Sequence, residues 1–253
     1  MHTTIRYILI TALRDRIFIG LFTGMFIATG ICLLLGSTAF LEPQHMAMAL
    51  ASGAARMILM VGLMVFTCFH IRQGFDSKEI EVMLSHPMSR AQLLLSYWLG
   101  FSLVGVLLAL PVLMMIALIG PHDLAGYMGW AASLLLEAML VVAMAIFSSF
   151  TLRSAVMSVM SCMGFYILSR LMAFFVMTSQ SGLAAAGSSF TPFKKILELL
   201  YILVPRLDMF TKSQWLVYGA DTMAGWIYVP MQAAIFVPLL LLAAMADFRR
   251  QEF

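Results

Sequence analysis

Apolar runs long enough to cross a bilayer recur along this chain, and that recurrence limits what it can fold into. They cover about residues 17–41, 49–71, 91–119, 128–151, 155–178 and 227–247. About 18 consecutive apolar residues suffice to suggest a membrane span. The runs are continuous rather than alternating, which favours helices over a β-barrel. The reading is an all-α polytopic membrane protein with six transmembrane helices. Charge points the same way: 11% of the residues are Asp, Glu, Lys or Arg, against about 25% in a soluble domain.

Lys and Arg set the orientation. With the N-terminus inside, the inner segments hold Arg6, Arg14, Arg16, Arg72, Lys78, Arg90, Arg153, Arg249 and Arg250; the outer ones hold Lys194, Lys195, Arg206 and Lys212. Both termini are therefore expected in the cytoplasm, in a cytoplasmic (inner) membrane. The first apolar run is too long for a signal-peptide core and reads as an uncleaved anchor. Ahead of it, residues 1–16 place Ile5, Ile8, Leu9, Ala12 and Leu13 at helical spacing, which suits an interfacial helix; a frayed first turn of the first span is the alternative. The net charge of +3 gives no reason to expect nucleic acid.

Cys32, Cys68 and Cys162 all lie in apolar runs without paired spacing, so neither a disulfide framework nor a zinc site is indicated. The five histidines show no metal-ligand spacing on a helix. Methionines such as Met57, Met60 and Met64 suggest a copper path, but Met is also a flexible filler of apolar cores, and packing is the reading adopted. No metal site is assigned.

The most polar run in the first half is "FDSKEIEVMLSHPMSR", residues 75–90. Asp76 can cap a helix, with Glu79 at the capping-box position. Ile80, Met83 and Leu84 then share a face. Pro87 ends the helix and pushes His86 away from helical angles. Ser89 with Gln92 forms a second capping box, opening the third span. The spacing predicts a short helix at the cytoplasmic face, a break, and a new membrane helix; an ordinary solvated connector is the alternative.

The long outer segment, 179–226, contains Thr191 and Pro192 as a helix start and then "FKKILELLYILV". At about 12 residues this helix is too short to span and reads as re-entrant or interfacial; a seventh span is the alternative. Trp215, Tyr218, Trp226 and Tyr228 suit an aromatic belt. Small residues recur at four-residue spacing, Gly20, Gly24 and Ala28 in the first span and Ser154, Ser158 and Cys162 in the fifth, and mark helix-packing faces.

Three charges fall inside predicted spans at one depth: Arg56, Glu137 and Arg170. Counted from the predicted outer ends they lie about 11–14 Å deep. An unpaired charge there costs at least about 2.5–3.5 kcal/mol. Mutual pairing or a shared polar cavity is expected, the alternative being that Arg56 snorkels outward and only Glu137 and Arg170 pair.

"KEIEVMLSHPMSRAQLLLSYWLG" resembles the signature of ABC-2 type transporter permeases, in which an acidic short helix precedes Leu-Leu-Ser-x-Pro-x-Ser-Arg and a membrane helix. Glu79 and Glu81 match the acidic part; Leu84, Ser85, Pro87, Ser89 and Arg90 match the rest, with Met83 in place of the first Leu. "PRLDMF" resembles a second family run through Pro205, Leu207, Asp208 and Phe210. The resemblance covers the whole chain and implies a single permease domain, 1–253. In it, residues 76–90, with Asp76, Lys78 and Ile80 among them, form the coupling segment seated on a separate cytosolic ATPase. It also implies two permease subunits, as a homo- or heterodimer, and two ATPase subunits carrying ATP and Mg.

No GxxxxGK[ST] loop occurs in the chain, so hydrolysis is expected in the partner and no cofactor is expected on this chain. The family consists predominantly of exporters; some small members serve metalloenzyme maturation, such as nitrous oxide reductase assembly. Two other readings stand beside transport. One is a non-transporting membrane anchor that passes ATPase motion to an outside-facing partner through 179–226. The other is an intramembrane enzyme, for which neither GxSxG nor HExxH is present.

Overall fold

The computed structural model describes residues 2–38, 42–79, 89–121, 123–180, 204–219 and 223–250. Among them the chain is helical and contains no strand: α1 (His2–Arg14), α2 (Arg16–Ser37), α3 (Pro43–Asp76), α4 (Arg90–Ile119), α5 (Leu124–Thr151), α6 (Ala155–Gln180), a 3-10 turn at Leu207–Met209, the single turn α7 (Gln214–Val217), and α8 (Met223–Arg250). Helices α2, α3, α4, α5, α6 and α8 are each long and apolar enough to cross a membrane. The chain is thus an all-α protein with six candidate spans.

Most helices run past the predicted limits of the spans. Helix α3 begins at Pro43 rather than 49 and ends at Asp76 rather than 71; α5 begins at Leu124 rather than 128. Apolarity marks hydrocarbon depth, whereas helical hydrogen bonding continues into polar flanks. This corrects one assignment. Asp76 does not cap a new helix: it is the last residue of α3, and its carboxylate lies 3.8 Å from Arg72 one turn back. The chain then turns at Lys78, whose φ is +58°, and Glu79 is helical. Ile80, Glu81, Met83, Leu84, Ser85, His86 and Pro87 lie outside the described residues, as does the predicted re-entrant helix at 192–204 except for its last residue, Val204.

Helix α1 is separate from α2. Asp15 adopts an extended conformation and its side chain accepts from the Ile17 N–H at 2.9 Å, an N-cap that starts α2 afresh. Ile8 and Ala12 of α1 are buried, while Leu13 is exposed. Ile8 packs where Gly100 of α4 lacks a side chain; a Cβ there would come within 2.8 Å of Ile8.

The six long helices alternate in direction between two ends. At the end near α1, Arg90 Nη1 donates to the Phe248 carbonyl at 2.7 Å, Thr151 donates to Asp247 at 2.7 Å, and Arg72 donates to the Leu152 carbonyl at 3.4 Å. At the distal end Gln44 donates to the Ile119 carbonyl at 3.4 Å. There, too, Gly126 of α5 lets the backbone at Trp215 approach so closely that any Cβ would overlap the Trp215 carbonyl. Helix α5 is the centre: 67% of its apolar window is buried within the chain, against 17% for α2 and 28% for α6. The two small-residue stripes separate accordingly. Ser158 and Cys162 are fully buried, whereas a Cβ on Gly20 or Gly24 would meet nothing within 4 Å among the described residues.

The three methionines that share a predicted face do not share an environment. Met60 and Met64 are fully buried in the core and Met57 is 47% exposed, an arrangement that fits gap-filling rather than a conduit.

Single cysteines test the two-ended arrangement. With Cys32, Cys68 and Cys162 replaced by alanine, cysteines at Ser77 and at Tyr218 should react with an impermeant thiol reagent from opposite sides of the membrane. Labelling of both from one side in sealed vesicles would contradict the alternation.

Candidate functional site: a buried charge network that holds a distal segment

Arg56 on α3 and Glu137 on α5 each stand thirteen residues past the first residue of their helices, about 20 Å along the axis. Arg170 lies on α6, ten residues before its end, about 15 Å from it. Into the space between them descends the segment 204–217, which the sequence placed at the outer face.

Glu137 is completely buried, and each of its oxygens is taken. Oε1 accepts from Tyr166 Oη at 2.9 Å and from Arg170 Nη1 at 3.4 Å. Oε2 accepts from Thr211 Oγ1 at 2.5 Å. Tyr166 and Arg170 are one helical turn apart on α6, so they reach the same carboxylate from one face. Ser133, one turn before Glu137 on α5, accepts from the Thr211 N–H at 2.8 Å. Arg56 donates through Nη1 to the Thr211 carbonyl at 2.8 Å and to its hydroxyl at 3.2 Å. Arg170 Nη1 also donates to the Leu207 carbonyl and, at 3.5 Å, to that of Phe210.

The Glu137–Arg170 pairing is as expected, and only the place of Arg56 differs. Glu137 pairs with Arg170, while Arg56 neither snorkels outward nor touches the carboxylate; it reaches the network through Thr211. Two guanidiniums face one carboxylate, and the dipoles of three backbone carbonyls balance the remaining positive charge.

Thr211 is therefore the hub, and sequence reasoning missed it. Its φ is +46°, in the left-handed region that a β-branched residue rarely adopts. Such a backbone costs about 1–3 kcal/mol and persists only where its surroundings fix it. Here they do: its N–H, carbonyl and hydroxyl are all engaged and its side chain is fully buried. No periodicity reports the placement of a residue between helices. Ser133 and Tyr166, by contrast, were findable, each sitting four residues before a charge already singled out.

The "PRLDMF" residues serve the same segment. Leu207 and Phe210 are fully buried anchors, and Pro205 is buried beside them. Asp208 turns away from the network to pair with Arg206 at 3.0 Å, and the Arg206 N–H donates to Gln232 of α8 at 3.0 Å. Ser213 meets Ser52 of α3 with their hydroxyls 2.9 Å apart. Trp215 is half-buried against the core and Tyr218 is exposed, so the expected aromatic belt is only partly at the surface.

At the other end of the bundle, Ser89 and Gln92 form the reciprocal capping box expected at the start of α4, and Arg90 clamps the end of α8. Tyr7 of α1 donates to Glu79 Oε2 at 3.3 Å. Burial, then the neighbouring Glu79 carboxylate, raises the Tyr7 pKa and keeps it a donor. Of the residues that the resemblance assigns to coupling, Asp76, Lys78, Glu79, Ser89 and Arg90 lie at one end; the charge network and the "PRLDMF" segment gather toward the other. Among the described residues no group of His, Cys, Asp and Glu could hold a metal ion.

No protein-family model matches this chain, and a search of curated proteins returns no relative.

Glu137→Gln should destabilise the protein by about 3–5 kcal/mol, the cost of removing one partner of a buried pair. The double change Glu137→Gln/Arg170→Gln should recover part of that loss, because it no longer leaves a guanidinium facing a neutral group. Unfolding midpoints of the purified protein in detergent measure both. A normal single variant, or a purely additive double, would show that the charges do not interact.

Proposed function

We propose that this chain is the transmembrane permease subunit of an ABC-2 type exporter, in which a dimer of permeases moves substrate and a separate cytosolic ATPase supplies the energy. The observation that carries the reading is the break between α3 and α4. A membrane helix ends at Asp76, the chain turns at Lys78, and a new membrane helix opens at the Ser89–Gln92 capping box. That polar connector lies at the same end as α1, tied to it through Tyr7 and Glu79. A connector that joins two spans, with Glu79 near its start tied to α1, is where an ATPase could push on the bundle.

Two further features support the reading. Among the described residues, helices α2 and α6 are the least buried spans and nothing lies within 4 Å of a Cβ on Gly20 or Gly24, which suits a second permease copy packing there. The 204–217 segment closes the distal half of the bundle through the charge network, which suits a gate on the exit side.

A second reading, the non-transporting anchor, gains support from the same network. Helix α3 carries Arg56 toward one end and Asp76 at the other, so a displacement at the connector would reach the distal segment without any substrate path. ATP-dependent substrate movement in vesicles containing only this complex separates the two.

Reversing charge at Glu79 and Glu81 together should weaken ATPase binding or the stimulation of its activity by this chain. Pro87→Ala should misdirect the connector with a similar effect. Both variants should still insert in the membrane, since the spans are untouched. Unchanged coupled ATPase activity in both would refute the assignment.

A further inference from the structure

The charge network holds an excess of positive charge and a surplus of donors. Every described hydrogen bond of Arg56 and Arg170 comes from Nη1. Each guanidinium carries five N–H donors in a fork suited to an oxyanion, and Nε of Arg56 is buried without a partner. Apart from Glu137 Oε1, which Arg170 also reaches, what the two guanidiniums hold is a set of oxygens on one stretch of chain: the carbonyls of Leu207, Phe210 and Thr211 and the Thr211 hydroxyl. The stretch that presents them is strained at Thr211, so it gains on leaving. Neutral carbonyls are weaker acceptors than charged oxygens for an arginine.

We propose that Arg56 and Arg170 form a binding site for a phosphate-type oxyanion, and that the 204–217 segment occupies it until such a group displaces it. The group belongs to a soluble solute or to a lipid headgroup; the two sources share the chemistry. Glu137 sets the threshold. By neutralising one positive charge it keeps the empty site from binding any passing anion, while the second positive charge stays uncompensated except by dipoles. As a statement about cargo, this rests on the permease reading; as a statement about binding, it does not.

The test uses the full chain, without ATPase, in dodecyl maltoside, which has no charge and no phosphate. Cys32, Cys68 and Cys162 are replaced by alanine and Ser213 by cysteine, and the rate of alkylation at 213 reports release of the segment. Dioctanoyl phosphatidylglycerol should accelerate alkylation saturably, and dioctanoylglycerol, with the same tails and no phosphate, should not. Acceleration by inorganic phosphate over a similar concentration range would assign the site to solutes; acceleration by the phospholipid alone would assign it to headgroups. Arg56→Gln should raise the half-saturating concentration about tenfold or more, as expected when a charged hydrogen bond is lost, and Arg56→Lys should fall between. Thr211→Val weakens the resident competitor and should lower the half-saturating concentration several-fold, a change of opposite sign that misfolding would not produce. Equal acceleration by the neutral lipid, no acceleration by either oxyanion, or no shift in both the Arg56→Gln and the Thr211→Val proteins would overturn the proposal. Failure of ATPase stimulation would count against the permease reading and leave this result standing.

Discussion

A carboxylate with no access to water at the centre of a helical bundle must be held by donors, and Glu137 draws those donors from separate parts of the chain. Tyr166 and Arg170 come from α6, Thr211 from the distal segment, and Arg56 joins through Thr211 from α3. Satisfying one buried charge therefore fixes the mutual placement of three membrane helices and one non-helical segment. Apolar contacts in lipid do little to specify such an arrangement, because lipid tails are as apolar as the side chains they would replace. An ion pair of this kind adds little net stability compared with a well-packed apolar core. What it does here is tie the carboxylate to partners on α6 and the distal segment, so that a packing that separates them leaves a charge without those partners.

The same requirement explains how irregular backbone enters the bundle. Inside a membrane, unpaired N–H and C=O groups cost several kcal/mol each, so non-helical chain is tolerated only where protein or water satisfies it. At Thr211 the N–H goes to Ser133 and the carbonyl to Arg56; at Leu207 and Phe210 the carbonyls go to Arg170. The arginines thus satisfy the segment's backbone, while Arg56 Nε is left over. Helix α3 then links this region to the opposite end: 34 residues long, it runs from Pro43 through Arg56 to Asp76, about 50 Å, and one rigid element borders both the connector before α4 and the network.

Much of the architecture was legible in the sequence, and the parts that were not have physical reasons. Apolar length exposed the six spans because hydrocarbon thickness sets a minimum run. It did not expose their ends, because helices such as α3 continue into polar flanks. Asp76 looked like a cap because Asp caps well and Glu79 follows at the right spacing; the pairing with Arg72, four residues back, was the competing signal and it prevailed. The common depth of Arg56, Glu137 and Arg170 could be counted from the apolar boundaries. That Thr211 joins them could not, since a residue between helices follows no period, and the "PRLDMF" run gave no sign that its backbone carbonyls rather than Asp208 would face the arginines.

The seating of the distal segment inside the bundle is tested most directly by a disulfide. Ser52 lies on α3 and Ser213 at the start of α7, 161 positions apart in the chain with their hydroxyls 2.9 Å apart. With Cys32, Cys68 and Cys162 replaced by alanine, Ser52→Cys/Ser213→Cys should form an intramolecular disulfide in native membranes under mild oxidant. The bond should close to near completion and be seen as a mobility shift that a reductant reverses. If both cysteines stay separately reactive toward thiol reagents and no disulfide forms, the segment does not sit against α3, and the charge network does not hold it there.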